Sequence, residues 1–304
     1  MTRVAVLGAG RLGTSLGAAL RRAGYRVAAV SCRRPASARE SARLVGGAAP
    51  FTDMLAAAER GSILFICLPD REIAGAAVGL AAAAAGISGK TIFHVSGALP
   101  AATLAPLRAR GANVASFHPV RSFPKKDGSG KTFAGVTIAL EGDPKAVAAG
   151  ARIAKALGGR ALRLRPEQRP AFHAACSVLS NYLVVLFDMA ETTLRRAGIR
   201  NRNAARALRD LAQETLRNVN SVDTGRALTG PIVRGDTETV ARHLQALRAR
   251  PRLREAYVAL GRLALDLAVR QGLPTDRIRA LRTLLGDRRP LLRARRRTRS
   301  GPGP

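Results

Sequence analysis

The first half of the chain alternates short β-rich apolar runs with helix-like stretches. Ser62–Leu68 is the clearest apolar run, because after its first residue it is apolar without interruption, as in a strand buried on both faces. The other predicted strands are Val4–Leu7, Arg26–Val30, Lys90–Val95, Asn113–Phe117, Val136–Leu140 and Arg160–Leu164. This alternation predicts an α/β domain with a parallel sheet flanked by helices.

From about Pro166 the pattern changes to a helical period. Apolar residues then recur at helical spacing, as at Leu179, Leu183 and Leu186. The predicted helices are Pro170–Ala197, Asn203–Val219, Thr237–Arg248 and Arg252–Gln271. We therefore expect an α/β domain over residues 1–165, an all-α domain over 166–287 and a basic, disordered tail over 288–304.

A glycine-rich turn follows the first strand and opens a helix-like stretch that ends at Gly24. In the turn, a first glycine permits the tight bend, a second lets the backbone approach a pyrophosphate, and a third lets the helix pack closely on the strand. Incidental glycines between a strand and a helix are the alternative, but the context on both sides favours dinucleotide binding in a Rossmann-like domain. The predicted cofactor contacts are Gly8, Gly10, Arg11, Leu12, Gly13, Leu68 and Pro69.

The end of the second predicted strand indicates which dinucleotide binds. An NAD site usually places an Asp or Glu about 20 residues beyond the glycines, where it bonds the ribose 2′-hydroxyl. Here Ser31 occupies that position, and Arg33 and Arg34 follow it. Guanidinium groups suit a 2′-phosphate, so we expect NADP(H) rather than NAD(H). Two solvated arginines remain the alternative.

The charge of the chain raises the question of nucleic-acid binding. The sequence has 51 basic and 20 acidic residues, a net charge of +31, which is typical of proteins that neutralise phosphates. However, the arginines are spread over the whole length, aromatic residues make up only 4%, and no nucleic-acid-binding motif is present. An arginine-rich coding bias explains the charge equally well. Arginine-driven binding of nucleic acid or other anions is therefore a third hypothesis only.

Length, cysteines and hydropathy indicate a cytoplasmic protein. The 304 residues are 47% hydrophobic and allow two domains with a substantial core. Cys32, Cys67 and Cys176 are scattered and odd in number, which fits reduced thiols. We find no apolar run of membrane-spanning length and no room for a signal peptide before the first strand, so no membrane partner is expected.

The histidines mark the candidate chemistry. His94 and His118 each lie at the carboxyl end of a predicted strand, and His173 lies on the first predicted helix of the second domain. Ser177 and Asn181 follow His173 by four and eight residues, so all three share one helical face. Each histidine could instead be an ordinary hydrogen-bonded structural residue. Histidine nevertheless suits the proton that accompanies a hydride, because its pKa lies near neutrality.

The fourth histidine, His243, follows a Gly/Pro-rich turn over Thr229–Asp236. This turn offers backbone donors and the Arg234 guanidinium to an anion. We expect no metal site, because the histidines lack close pairing and no carboxylate cluster accompanies them.

These motifs together resemble one uncharacterised family. The glycine turn Gly8–Gly13, the strand ends His94–Gly97 and Phe117–Pro119, the helix His173–Asn181 and the turn Thr229–Asp236 with His243 carry the resemblance over roughly residues 1–270. That family pairs a Rossmann-like NADP-binding domain with a helical domain of unknown function, and its members are described as NADP- or coenzyme F420-dependent oxidoreductases. The chain also resembles the 6-phosphogluconate-dehydrogenase-like group, which includes pyrroline-carboxylate reductase, hydroxyisobutyrate dehydrogenase and prephenate dehydrogenase.

The resemblance implies roles for individual residues. Prephenate dehydrogenases carry a His-Pro pair at a similar strand end, which makes His118 the leading catalytic candidate, with Ser96 as a helper. Beyond the resemblance, we expect His94, His173 and Asn181 to orient the substrate, and Arg121 and Arg234 to hold its negative charge. Hydroxyisobutyrate-type enzymes place a lysine shortly before the asparagine, but Ser177 stands there in this chain, so their lysine mechanism does not transfer.

The expected activity is hydride transfer between NADP(H) and a small, anionic carbonyl, imine or hydroxy compound bound between the domains. The resemblance also implies a homodimer, since helical second domains of this group commonly pair. Two alternatives are left open: an NADP-binding sensor or scaffold without turnover, and the arginine-driven anion binding described above.

Overall fold

The computed structural model describes residues 2–83 and 86–287 and divides them into two compact units. The first unit runs through Tyr182 and the second begins at Leu183. This division lies within a helical region and later in the chain than the predicted domain boundary between residues 165 and 166. The predicted basic tail, 288–304, lies outside the described residues.

The first unit alternates strands and helices along the chain. Its strands are β1 (Arg3–Leu7), β2 (Arg26–Ser31), β3 (Ala49–Phe51), β4 (Ile63–Ile66), β5 (Thr91–His94), β6 (Asn113–Pro119), β7 (Thr137–Gly142) and β8 (Arg160–Arg163). Its helices are α1 (Arg11–Arg22), α2 (Pro35–Val45), α3 (Met54–Glu59), α4 (Asp70–Ala83), α5 (Ala105–Ala109), α6 (Pro144–Ala156) and α7 (Arg169–Ser177). A π-helical turn, Val178–Tyr182, continues directly from α7.

The eight strands form one sheet in the order β3-β2-β1-β4-β5-β6-β7-β8. The Rossmann-like α/β prediction is confirmed, and the strand order reverses direction between β1 and β4, as in doubly wound folds. β7 runs antiparallel to β6 and differs from the all-parallel expectation. No helix of the described chain lies between these two strands, and a parallel pairing would need such a crossover. β3 was not predicted; it contains Pro50, which an edge strand tolerates.

Both faces of the central strands are covered, which explains their uninterrupted apolar runs, whereas the edge strand β8 is exposed. On one face the rings of Phe65, Phe93 and Phe117 pack together, with 4.9 Å between the centroids of the first two. On the other face Leu64 and Ile66 of β4 belong to a cluster with α4 and α5. These clusters pack both faces of β5 and β6, and His94 and His118 lie near the carboxyl ends of those two strands.

The second unit is helical throughout its described residues. Its helices are α8 (Leu183–Arg196), α9 (Arg202–Ser221), α10 (Thr224–Ala227), α11 (Thr237–Ala246), α12 (Pro251–Arg270) and α13 (Thr275–Leu284). Val240, Leu244, Leu265 and Leu281 are buried in one apolar cluster between α11, α12 and α13. Asp236 caps α11 by accepting a hydrogen bond from the backbone N–H of Thr239, 3.0 Å away.

One helical region differs from the expectation that no apolar segment reaches membrane-spanning length. The run Pro166–Arg196 is long enough and apolar enough to cross a membrane, with a mean hydropathy of 1.5 in its best window. The sequence already predicted one helix over Pro170–Ala197, but the polar residues that interrupt its apolar run concealed its overall hydropathy. A helix that packs against a partner chain has the same length and composition.

Candidate active site and glycine-turn cleft

The turn after β1 has the geometry that a pyrophosphate requires. The backbone N–H groups of Gly8 and Ala9 donate to the carbonyl of Ser31 at 3.1 and 2.8 Å, which holds the turn against the end of β2. Gly8 has φ +90°, and a Cβ there would lie 2.8 Å from the carbonyl oxygen of Cys67. A Cβ on Gly10 would instead enter open space. The helix that follows presents its N-terminus to this space, so an anion fits here.

A cleft of about 840 Å³ extends from this turn along the ends of β2 and β4 and is called the glycine-turn cleft below. The predicted contacts that line it are Gly8, Gly10, Arg11, Arg33, Arg34, Leu68 and Pro69. Three other predicted contacts take different places: Ser31 is buried and holds the turn through its carbonyl, Gly13 is buried in α1, and Leu12 packs on the core. The lining residues that sequence reasoning missed are Ala9, Cys32, Ser37, Glu40, Cys67, Glu72 and Lys126.

Cys67 also lines the glycine-turn cleft without contributing a charge. Burial raises the pKa of its thiol far above the usual value, so the sulfur stays protonated. The charged lining groups are therefore arginine, lysine and glutamate side chains.

His94 ends β5 and is fully buried. Its Nε2 lies 3.2 Å from the carbonyl oxygen of Pro100, and because a carbonyl only accepts, Nε2 must carry the proton. Nδ1 of His94 is buried without a hydrogen-bond partner. The His94 side chain therefore lies beneath the surface of the site.

His118, near the end of β6, does reach a cavity. Its Nδ1 lies 3.4 Å from the carbonyl oxygen of Val95, so the same reasoning leaves Nε2 as the unprotonated nitrogen. The His173 ring packs edge-to-face against it with 5.9 Å between centroids. These two histidines, 55 positions apart by their numbers, therefore form one pair.

Gly97 makes this close pairing possible. A Cβ at this position would lie 2.8 Å from Cε1 of His118 and closer still to Nδ1 of His173. Neighbouring Ser96 fixes the turn by accepting hydrogen bonds from the backbone N–H groups of Ala98 and Leu99 at 3.1 and 3.0 Å. Its hydroxyl keeps one proton to donate.

A buried ion pair that sequence reasoning missed supports the histidines. Arg169, at the start of α7, is 1% exposed, and its Nε lies 3.4 Å from Oε2 of Glu141 in β7. The guanidinium also donates to the carbonyl of Gly97 at 3.1 Å and to the hydroxyl of Ser116. Glu141 accepts a further hydrogen bond from the backbone N–H of Ala101 at 2.8 Å. The pair therefore joins α7 to the strand ends.

Burial and this guanidinium keep the two strand-end histidines uncharged. Desolvation, with smaller contributions from the Arg169 guanidinium and His173, lowers the pKa of His118 to about 4, although the hydrogen bond to the Val95 carbonyl acts in the opposite direction. Desolvation likewise lowers the pKa of His94 to about 4, with Arg169 again contributing. Both rings are consequently neutral near pH 7, and His118 presents an acceptor nitrogen.

The cavity that His118 and His173 line has a volume of about 740 Å³ and is called the strand-end cavity below. Ser177 and Asn181 line it too, so the predicted shared face of the helix is present. Arg121 adds a cationic side chain. Its apolar lining residues are Val120, Leu162, Phe172, Ala175 and Leu179. The cavity thus combines an apolar surface with a few hydrogen-bonding groups and one guanidinium, as ligand pockets commonly do.

Two predicted residues belong to the second unit. Arg234 is exposed beside the turn that leads into α11. Nδ1 of His243 lies 2.8 Å from the hydroxyl of Tyr257 in α12, a contact within that unit. Among the described residues, no group of three or more His, Cys, Asp or Glu side chains is placed to hold a metal ion.

Comparison with solved structures finds similar folds over most of the chain. A candidate NADP oxidoreductase from Bacteroides fragilis superposes with a TM-score of 0.73 at 24% identity, over 87% of this chain and 98% of that one. A reductive aminase from Aspergillus terreus in complex with NADPH and ethyl levulinate gives 0.62 at 21% identity, over 95% and 100%. A pyrroline-5-carboxylate reductase from Coxiella burnetii gives 0.56 at 14% identity, over 88% and 98%.

Sequence comparison identifies the domains. No curated protein matches the chain. The family model of a Rossmann-like domain matches residues 1–119, and that of a domain of unknown function, DUF2520, matches residues 136–286. The chain therefore carries a Rossmann-like domain followed by this C-terminal domain of unknown function.

Proposed function

We propose that the glycine-turn cleft binds NADP(H). The open space beside Gly10 and the N-terminus of α1 suit the pyrophosphate, and Arg33 and Arg34 suit a 2′-phosphate at the end of β2. Arg33 is 86% exposed and lies 3.9 Å from Glu72, so its guanidinium is free to turn to a phosphate. The similarity to an NADPH-bound reductive aminase supports the same assignment.

We propose further that the protein is a reductase that exchanges a hydride between the nicotinamide and a small carbonyl, imine or hydroxy compound in the strand-end cavity. When bound, the cofactor supplies the hydride from C4 of its nicotinamide. The observation that carries the proposal is the state of His118: Nδ1 is committed to a backbone carbonyl, and Nε2 is left as an acceptor in a residue that lines the cavity.

His118 is proposed to move the proton that accompanies the hydride. As a neutral imidazole it accepts a proton from a substrate hydroxyl or amine at Nε2 in the oxidative direction and returns it in the reductive direction. The packed His173 ring and the buried Arg169–Glu141 pair hold its position. His94 is proposed to act indirectly, by fixing the backbone turn at Pro100 through its hydrogen bond to the Pro100 carbonyl.

The lining of the strand-end cavity indicates the class of substrate. Arg121 provides a guanidinium for a carboxylate or similar anion, and Asn181 and Ser177 provide neutral hydrogen bonds. The apolar side chains leave room for a short hydrocarbon portion. Small 2-oxo acids and cyclic imines that carry a carboxylate are therefore the first compounds to test. Ser96 keeps its proposed role as a helper that donates one hydrogen bond, and Arg234 remains a proposed anion contact.

The test is NADPH oxidation over a panel of 2-oxo acids, aldehydes, ketones and cyclic imines, with wild-type protein and the His118→Ala variant. We expect the variant to lose about 10²–10⁴-fold in kcat, as is typical for a general acid or base, while its dissociation constant for NADPH is unchanged. Ser122→Ala, which alters another lining residue of the cavity, is the matched control and should retain most of the activity.

The remaining outcomes separate the alternatives. If the His118→Ala variant turned over as fast as the wild-type protein, His118 would have no part in the proton transfer. Tight NADPH binding without turnover across the panel would favour a non-catalytic sensor or scaffold, and turnover with reduced coenzyme F420 alone would reassign the cofactor. Absence of binding to every dinucleotide would contradict the reductase proposal at its base.

We also propose a cytoplasmic homodimer formed through the second unit. Apolar side chains remain exposed on its helices, among them Val184 of α8, Leu211 of α9 and Leu263 of α12. Apolar surface of this extent is typical of a protein interface. Sedimentation at micromolar concentration should give a dimer, and replacing Val184 and Leu211 with Lys should give monomers.

A further inference from the structure

The loop between β6 and β7 is fastened to the two helices that follow the glycine turn and β2. The backbone N–H of Asp127 donates to the hydroxyl of Ser15 in α1 at 3.0 Å. A Cβ on Gly128 would lie 3.0 Å from the carbonyl oxygen of Leu44 in α2, so glycine permits a close approach there. Asp127 also closes the loop on itself by accepting from the N–H and hydroxyl of Ser129 at 2.8 and 2.9 Å. The loop therefore has a defined position.

This position places Lys126 in the glycine-turn cleft, far in sequence from its other lining residues. Its Nζ lies 2.6 Å from Oε2 of Glu40 and 3.0 Å from the hydroxyl of Ser41, both in α2. The Ser41 hydroxyl in turn donates to the carbonyl of Ala9, within the glycine turn, at 2.8 Å. The Lys126 side chain is 19% exposed, compared with 86% for Arg33. It is thus held against the cleft wall.

Glu40 would be an obstacle to NADP(H) without this lysine. It lines the same cleft as Arg33 and Arg34, the proposed contacts of the 2′-phosphate. The Lys126 ammonium lowers the pKa of Glu40, so this glutamate is ionised near neutral pH. An unpaired carboxylate in this cleft would repel a phosphate dianion, whereas a paired one would not.

We propose that Lys126 determines the preference for the 2′-phosphorylated cofactor: it cancels the negative charge of Glu40 and joins Arg33 and Arg34 as a cationic contact of the phosphate. This inference rests on the proposed NADP(H) site and adds a contact from outside the segment that normally selects the dinucleotide. It requires no catalytic turnover, so binding measurements alone can test it.

The experiment compares dissociation constants for NADPH and NADH, measured by nicotinamide fluorescence. Lys126→Ala should weaken NADPH binding about tenfold and leave NADH binding within about twofold, because the loss of a charged contact acts only where the phosphate is present. Lys125→Ala is the matched control: this neighbouring lysine is exposed, and both affinities should stay unchanged. Competition by adenosine 2′,5′-bisphosphate and by ADP repeats the comparison with fragments that lack nicotinamide.

Two further variants separate charge from structure. Lys126→Arg should keep the preference for NADPH. Adding Glu40→Gln to Lys126→Ala should restore part of the lost affinity, because the repelling carboxylate is then gone while the cationic contact of the phosphate stays absent. Equal weakening of both dinucleotides by Lys126→Ala would show that the lysine only fixes the loop, and would overturn the inference. An unchanged preference would also overturn it. A wild-type protein that does not prefer NADPH would overturn both the inference and the proposed cofactor.

Discussion

Arg169 of α7 and Glu141 of β7 form an ion pair that is almost wholly buried, with 3.4 Å between Nε and Oε2. The guanidinium also binds the carbonyl of Gly97 in the turn after β5. The pair thus fixes the start of the helix that carries His173 against β7, which pairs with the strand that carries His118. It also places a positive charge near the catalytic candidate.

Breaking this pair on one side should destabilise the first unit strongly. Glu141→Gln leaves a buried guanidinium without its counter-ion, and such changes cost about 3–5 kcal/mol. Replacing both residues, as Glu141→Leu with Arg169→Met, should recover much of the loss. The free energy of unfolding in urea measures the effect. Glu167→Gln, which disrupts the exposed pair with Arg165, is the control and should leave stability unchanged. Similar stability of all variants would contradict the importance of the buried pair.

The pH dependence of oxidation should report the low pKa of His118. A base must be deprotonated, and burial and Arg169 lower the pKa of this histidine to about 4. The value of kcat/KM for oxidation should therefore rise with pH through about 4 and be flat from about pH 5 upward. Arg169→Met removes one cause of the lowering, so the rising limb should move to higher pH. A limb centred near pH 6.5 in the wild type would contradict the buried, neutral state.

Acid should destabilise the fold through His94. Its pKa is about 4 in the folded protein, below the usual histidine value of 6.5, so the unfolded chain binds more protons between these two values. The contribution to stability is complete above pH 6.5 and is lost as the pH falls toward 4. Between pH 7.5 and 5 this amounts to about 2 kcal/mol for His94 alone. His94→Gln, which retains a donor for the Pro100 carbonyl, should unfold with a weaker pH dependence in guanidinium titrations. An equal dependence would assign the effect to other groups.

Much of the fold could be predicted because it follows local patterns. The buried runs at β1, β4 and β5 and the helical period after Pro166 are each visible in one window of sequence. His94 and His118 could be assigned to one edge of the sheet because parallel strands end together there. The strand β7 was predicted, but its antiparallel direction was missed, because the alternation of strand-like and helix-like segments does not show in which direction a strand runs.

The support of the site could not be predicted in the same way. Arg169 precedes His173 by one helical turn, which is a usable signal, but its partner Glu141 is distant in sequence and is marked only by its place after an apolar strand. Lys126 lies in a loop rich in Gly, Ser and Lys, and its approach to Glu40 depends on the path of the loop over α1 and α2. Such contacts are set by tertiary packing and not by local periodicity.

Gly97 offers a separate test of the paired histidines. A Cβ there would lie within van der Waals distance of both His118 and His173, so Gly97→Ala must displace at least one ring. A misplacement of about 1 Å at a reacting group can cost about 10²-fold, so we expect kcat to fall by roughly 10–100-fold. The glycine-turn cleft is untouched, so the NADPH dissociation constant should not change.

Gly75→Ala is the matched control for this substitution. Gly75 is exposed in α4, and a Cβ there would meet no atom within 4 Å. Alanine is favoured over glycine inside a helix by about 0.5–1 kcal/mol, so this variant should be slightly more stable and fully active. The comparison of steady-state kinetics for the two variants isolates the effect of the rings from that of an added methyl group. Full activity of Gly97→Ala would show that the close approach of His118 and His173 has no part in the reaction, because the methyl group cannot be accommodated without moving them.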